Sequence, residues 1–226
     1  MKLSVIIPVY NEAKTLLQIL QKVEAVEVSK EIILVDDGST DGSVDILKKL
    51  DSENRGYKIV FKSVNSGKGA SLKEGFKVST GDYVIVQDAD LEYDPQDYKF
   101  LLAQIETGEK VVYGSRFYGD YKDMTTLHYV GNKFLTLLTN ILYGQSLSDM
   151  ETCYKLIPGD FARSITIKSQ RFNFEPEITA KILKAGYHIK EVPITYKGRT
   201  HSEGKKITWR DGISAVTTLI KFRFFN

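Results

Sequence analysis

Apolar and polar positions along the first half of the chain follow two alternating rhythms. Residues 3–8 form a short, nearly continuous apolar run, which predicts a strand buried on both faces. Residues 12–26 then carry apolar positions at helical spacing. The same alternation continues, with strands predicted over 31–35, 58–62, 82–87 and 110–114 and helices over 40–50, 68–79 and 95–107. Ser39 or Thr40 is expected to open the second helix, with Asp41 favourable in its first turn. Pro95 suits an early position in its helix. This rhythm predicts an α/β fold, a mostly parallel sheet with helices on both faces.

The second half is less regular. Residues 125–143 place Leu127, Val130, Phe134, Leu137 and Ile141 at helical spacing. A strand is predicted over 152–157, a helix over 175–185 closed by Gly186, and a strand over 188–195. The last helix, 207–225, carries Trp209, Ile213, Val216, Ile220 and Phe224 on one stripe. No internal repeat or low-complexity tract interrupts the chain. We expect one catalytic domain over 1–196, with 197–226 as a basic loop and interfacial helix that is not an independent domain.

Composition changes this picture in two places. The 226 residues are 42% hydrophobic with a net charge of +2, an ordinary globular composition without a nucleic-acid footprint. The charge is uneven, however: residues 197–226 hold seven Lys or Arg against Glu203 and Asp211. A basic terminal segment points to an anionic partner, either phosphate or an anionic membrane face. Cys153 is the only cysteine and the three His are scattered, which excludes an internal disulfide and a zinc site. The first apolar run is too short and too soon interrupted for a signal peptide. No stretch reaches the ~20 apolar residues of a bilayer span. The expected location is therefore cytoplasmic, peripheral on the cytoplasmic membrane face.

Candidate chemistry clusters where strands end. Asp88, Asp90 and Glu92 alternate just past the fourth strand, at the sheet edge where open α/β folds bind ligands. Three such carboxylates repel one another unless a cation lies among them. Oxygen-only ligands favour Mg²⁺ or Mn²⁺ shared with substrate phosphates; the alternative is a solvated acidic turn. Asp36 and Asp37 end the second strand and suit hydrogen bonds from a nucleobase or ribose, or a turn and helix cap. Gly67-Lys68-Gly69 opens a helix and offers amides and an ammonium to phosphate or base. It is neither a P-loop nor a dinucleotide fingerprint. His128 and Asn132, four apart on a predicted helix, share a face.

Taken together, Val5-Ile6-Ile7-Pro8-Val9-Tyr10-Asn11-Glu12, Val35-Asp36-Asp37-Gly38-Ser39-Thr40-Asp41, Gly67-Lys68-Gly69 and Asp88-Ala89-Asp90-Leu91 resemble family 2 glycosyltransferases. Gly114-Ser115-Arg116, residues 149–154 and Glu191-Val192-Pro193 extend the likeness over nearly the whole chain. Within the family it is most similar to dolichol-phosphate mannose synthases and bacterial polyprenyl-phosphate sugar synthases. The resemblance implies a GT-A fold and a nucleotide-sugar donor. It implies that Pro8, Tyr10, Glu12 and Asp37 hold the nucleoside, with Asp88 and Ala89 beside it. Asp90 and Glu92 are then expected to ligate a divalent ion at the donor diphosphate, where many relatives have Gln in place of Glu92.

For the acceptor, Arg116, His128, Asn132, Arg199, His201, Lys205 and Lys206 form a polar and basic set suited to a phosphate monoester. Relatives often carry Arg at His128 and His201 and Ser at Asn132. Asp149 matches the position of a general base in family members with sugar acceptors. A phosphate acceptor is already largely dianionic, its second pKa being near ~6, and Asp149 then serves to position Arg116 or the acceptor. The expected reaction moves a hexose, with inversion, from a UDP- or GDP-sugar to a polyprenyl phosphate. Asp90, Asp149, Arg116 and Arg199 are its expected catalytic groups. A hydroxyl acceptor and a non-catalytic nucleotide-sugar-binding module are the alternatives, and nucleic acid is not an expected partner.

Overall fold

The computed structural model describes residues 1–199 and 209–225, with the side chains of Trp209 and Arg210 excepted. Seven strands form one sheet in the order β3-β2-β1-β4-β7-β5-β8. Here β1 is Leu3–Val9, β2 Lys30–Asp36, β3 Lys58–Phe61, β4 Tyr83–Val86, β5 Val111–Ser115, β7 Lys155–Pro158 and β8 Ile189–Pro193. The first four strands run parallel. The seventh is antiparallel to both of its neighbours, and β8 is parallel to β5. Val5, Ile6, Ile7 and Val9 are fully buried, as expected of a central parallel strand covered on both faces.

Helices α1 (Leu16–Glu24), α2 (Ser43–Ser52), α3 (Lys68–Val78) and α4 (Tyr98–Glu106) make the crossovers. Helix α1 starts later than its apolar pattern suggests. Helix α2 also starts late: Gly42, at φ +96°, precedes it, and Asp41 lies outside the helix. The Asp41 carboxylate instead accepts from the amides of Ser43 and Ala13, tying the β1 and β2 ends together. Pro95–Asp97 is a separate 3-10 turn ahead of α4.

Beyond β5 come β6 (Tyr121–Lys122), α5 (Thr126–Tyr143), α6 (Gly159–Ser164), α7 (Phe174–Lys184), β9 (Tyr196–Lys197) and α8 (Trp209–Phe224). Strands β6 and β9 form a second, two-stranded parallel sheet. Neither these short strands nor α6 is marked by the hydrophobic pattern. Each is too short to show a period and depends on tertiary partners. Gly186 closes α7 at φ +81°, as expected of a left-handed helix terminus. Helices α5, α7 and α8 pack as a group. The order β2-β1-β4 sets the three motif-bearing strand ends side by side.

Candidate active site

At the end of β4 the chain turns sharply. Leu91 has φ +66°, and the Asp90 Oδ1 accepts from the Glu92 amide at 3.1 Å. A non-glycine residue in the left-handed region is uncommon and concentrates at functional turns. Asn11 makes the matching excursion after β1, at φ +55°, where its side chain accepts from the Thr40 amide at 2.8 Å.

This turn divides the three carboxylates expected to share a metal. Asp88 faces Lys68, whose Nζ lies 2.8 Å from Oδ1 and 3.0 Å from Oδ2. Asp90 faces Arg199, with Nη2 at 2.7 Å from Oδ2. Glu92 accepts from Tyr196 Oη on β9 at 2.8 Å and from the Arg199 amide, two residues past that strand, at 2.9 Å. Among the described residues no three His, Cys, Asp or Glu side chains stand in metal-holding geometry. Glu92 thus anchors β9, and its Oε1 lies 3.5 Å from Nε of the same Arg199 guanidinium that meets Asp90.

Asp90 is buried among like charges. Burial, then the nearby Asp88 and Glu92 charges, push its pKa up to about 7 against the pull of Arg199. Arg199 also reaches Glu12, Nη1 to Oε2 at 3.4 Å. Arg199, two residues past β9, is therefore set among Glu12, Asp90 and Glu92. His201 and Lys205 lie outside the described residues.

The Gly67-Lys68-Gly69 motif owes its glycines to close packing. A Cβ on Gly67 would lie 2.4 Å from the Gln170 carbonyl oxygen, and one on Gly69 would lie 2.3 Å from that of Ser169. The backbone at 169–170 thus presses the α3 N-terminus into place and aims Lys68 at Asp88 and Glu175 (2.9 Å). Burial opposes the ammonium charge, but its anionic neighbours, Asp88 foremost, hold its pKa above the ordinary lysine value. Asp36 and Asp37 are buried and work on loops. Asp36 accepts from the Gly38 amide at 3.0 Å, and Asp37 from the amides of Ser66 (3.0 Å) and Gly67 (2.7 Å) and from Lys62 Nζ. Pro8 sits within β1, Tyr10 follows it partly exposed, and Ala89 is buried beside Asp88.

On the other flank, Arg116 and Asp149 are both buried, joined through Nε–Oδ2 at 2.7 Å and Nη2–Oδ1 at 2.8 Å. The Arg116 guanidinium stands 5.2 Å from the Tyr196 ring centre, which links this pair to the strand that Glu92 anchors. His128 Nδ1 lies 2.7 Å from Thr125 Oγ1 at the start of α5, and Asn132 Nδ2 lies 4.0 Å from Met124 Sδ.

Several contributors carry little or no signal in the sequence. Glu191 receives the amides of Ser148 (2.8 Å) and Asp149 (3.0 Å), so a β8 residue sets the Asp149 backbone. Gln87 accepts from Tyr98 and Tyr154, both at 2.6 Å, in the core beneath Asp88. Glu175 completes the Lys68 pair from α7. Only Glu191 had a signal, its place before Val192-Pro193.

Residues 4–163 match the family described as Glycosyl transferase family 2. The chain is 30% identical over 226 residues to the undecaprenyl-phosphate 4-deoxy-4-formamido-L-arabinose transferase of Pseudomonas fluorescens strain Pf0-1, covering 95% of this chain and 65% of that protein. It is 29% identical over 198 residues to glycosyltransferase AglJ of Haloferax volcanii, covering 86% of this chain and 63% of that one. The chain therefore spans just under two thirds of the length of these relatives. In structure it resembles glucosyl-3-phosphoglycerate synthase from Mycobacterium tuberculosis, solved with Mn²⁺, UDP and glucosyl-3-phosphoglycerate. That likeness has a TM-score of 0.75 and 18% identity, covering 100% of this chain and 81% of that one; it is a likeness of fold, the GT-A arrangement of a mostly parallel sheet and its helices. The strand-end motifs, the fold and the match over most of the chain make this protein a member of glycosyl transferase family 2.

Proposed function

We propose that the chain transfers a hexose from a nucleotide diphosphate sugar to a polyprenyl phosphate. The observation that carries this reading is the closure of Asp149. Asp149 is fully buried and both of its oxygens accept from Arg116, which supports an orienting role over that of a base for a hydroxyl acceptor. An acceptor that arrives as an anion needs no such base. The relatives named for undecaprenyl phosphate support the same acceptor.

In this reading Pro8, Tyr10, Glu12, Asp36, Asp37, Lys68, Asp88 and Ala89 form the nucleotide side. Asp88 and Asp90 would hold Mg²⁺ or Mn²⁺, whose preference for hard oxygen donors these carboxylates meet. Bound there, the ion supplies charge to the departing diphosphate. Arg199 leaves Asp90 as donor binds and turns to the phosphates, where an arginine fork is well matched. Arg116, fixed by Asp149, lends positive charge to the acceptor flank, with His128 and Asn132 on the α5 wall.

The acceptor lipid requires a membrane face, and α5 supplies one. Its outward side chains Leu127, Val130, Phe134, Leu137 and Ile141 are all more than half exposed, Leu127 by 78% and Ile141 by 70%. On α8, Ile213, Ile220 and Phe224 are exposed as well, with Lys221 and Arg223 nearby in sequence. No described helix is long and apolar enough to cross a membrane. Apolar residues set beside cations suit an interfacial helix pair, the cations meeting lipid head groups.

A hydroxyl acceptor is favoured by one observation. Glu151 has an unpartnered buried oxygen, and burial followed by Glu175 pushes its pKa up to about 7, a value suited to a general base. The test is a screen of UDP- and GDP-hexoses against polyprenyl phosphate and sugar alcohols, with products read by mass spectrometry. Sugar–phosphate–lipid product supports the proposal, and transfer to alcohols alone rejects it.

A further inference from the structure

The cations that border the site are matched to carboxylates. Arg116 has Asp149, Arg199 has Asp90, and Lys68 has Asp88 and Glu175. Among the described residues Lys155 has no carboxylate in ion-pair contact, but it is buried and donates to the carbonyls of Met150 (2.9 Å) and Thr152. Lys133 differs from all of these. Its side chain leaves α5 toward the β5 end, partly buried. Among the described residues its partners are a carbonyl and two rings. Nζ lies 3.4 Å from the Ser148 oxygen, 4.1 Å from the Phe117 ring centre and 5.9 Å from that of Tyr129.

We propose that Lys133 is the anchor for the acceptor phosphate; this rests on the polyprenyl-phosphate reading above. The ring faces fix the ammonium by their quadrupoles without neutralising it. Its single hydrogen bond is long, so an ammonium with three donors keeps capacity for an anion. Its position follows from its neighbours: Phe117 is next to Arg116, and Ser148 is next to Asp149. The Phe117 ring also lies 5.7 Å from the Arg116 guanidinium, so one aromatic side chain separates the two cations. A phosphate there meets Lys133 as a charge that no carboxylate among the described residues pairs with.

The same neighbourhood suggests where the lipid runs. Phe117, Tyr121 and Tyr129 form one aromatic cluster, with ring centres 5.3 to 6.2 Å apart. Tyr129 adjoins Val130, a member of the exposed apolar face of α5. Lys133 thus stands at the inner end of an aromatic path that opens on that face, which suits the first isoprene units of a lipid phosphate.

The test compares wild type, Lys133→Gln and Lys133→Arg with farnesyl phosphate as the acceptor probe. Gln keeps a donor for the Ser148 carbonyl and removes the charge. The expected result is an acceptor KM raised about tenfold or more in Lys133→Gln, with donor KM and thermal midpoint unchanged and with Arg restoring most of the loss. Farnesol inhibition should be equal in wild type and Lys133→Gln, since the alcohol has no phosphate to lose. An unchanged acceptor KM overturns the proposal. So does a joint shift of donor KM, acceptor KM and thermal midpoint, which assigns Lys133 a structural role. If wild type transfers to no prenyl phosphate, the acceptor reading fails independently. Calorimetric binding of farnesyl phosphate then decides for Lys133: weaker binding by Lys133→Gln than by wild type supports it, and equal or absent binding rejects it.

Discussion

Arg116 and Asp149 meet as a parallel fork, Nε on Oδ2 and Nη2 on Oδ1, while the Arg116 amide closes on the same Oδ2 at 3.0 Å. This geometry makes the carboxylate an orienting group. Asp149→Asn should therefore lower kcat while leaving both limbs of the pH–rate profile in place. Loss of the basic limb would instead make Asp149 the proton acceptor. Asp149→Ala strands a buried guanidinium and should cost roughly 3–5 kcal/mol in urea unfolding.

Asp90→Ala should abolish metal-dependent donor binding, read by calorimetry with UDP or GDP and Mn²⁺, while the circular dichroism spectrum stays native. Asp90 is the carboxylate whose only side-chain partner named among the described residues is the Arg199 guanidinium. Full turnover by this variant in the presence of a chelator would remove the metal from the mechanism.

In the proposed mechanism Arg199 and the metal ion compete for the same carboxylate. Arg199→Ala should raise the affinity of the donor-free protein for Mn²⁺, measured by electron paramagnetic resonance, because a resident cation is removed. The gain should be several-fold, about the size expected when a partly buried ion pair is broken, and should be accompanied by slower transfer. Unchanged or weaker Mn²⁺ affinity would mean that Arg199 and the ion do not share Asp90.

Asp97 gives a pH signature of stability. Its ordinary pKa of 3.8 is raised to about 6 by burial, against the hydrogen bond from the Thr195 amide at 2.7 Å. The folded state thus holds the proton more tightly than the unfolded chain. The contribution of this group to stability is fully present below pH 3.8, falls as pH rises, and is lost above about 6. Asp97→Asn keeps an acceptor for Thr195 and should flatten that decline, adding on the order of 2 kcal/mol at neutral pH. Urea midpoints of the two proteins across pH 4–8, a range bracketing the rise to about 6, test this.

The proposed membrane face can be tested without touching the core. Phe134 and Leu137 are 55% and 58% exposed, so Phe134→Glu with Leu137→Glu should leave the thermal midpoint nearly unchanged. Sedimentation with phosphatidylglycerol vesicles should fall by roughly tenfold or more, since two apolar side chains no longer enter the interface. Undiminished binding would place the docking surface elsewhere.

Local pattern determined much of this protein. The apolar runs of β1, β2 and β4 and the helical spacing between them carry the elements of the sheet's parallel first half, because buried parallel strands and their crossovers leave periodic signals over many residues. The motifs at those strand ends were legible for the same reason: a parallel sheet gathers its carboxyl ends along one edge. Tertiary structure decided what each charged group faces. Glu92 looks identical to Asp88 and Asp90 in the sequence, yet the left-handed turn at Leu91 and the arrival of Tyr196 from 104 residues away divert it to β9. Asp149 is held by a partner 33 residues earlier and by Glu191 from 42 residues later. The pattern of α5 was clear as a helix, but not which stripe faced inward; packing turned Thr136, Thr139 and Lys133 toward the domain and left the apolar stripe outside. Periodicity reports the shape of a segment, whereas the direction in which a side chain points, and the charge it meets there, depends on neighbours that are distant in the chain.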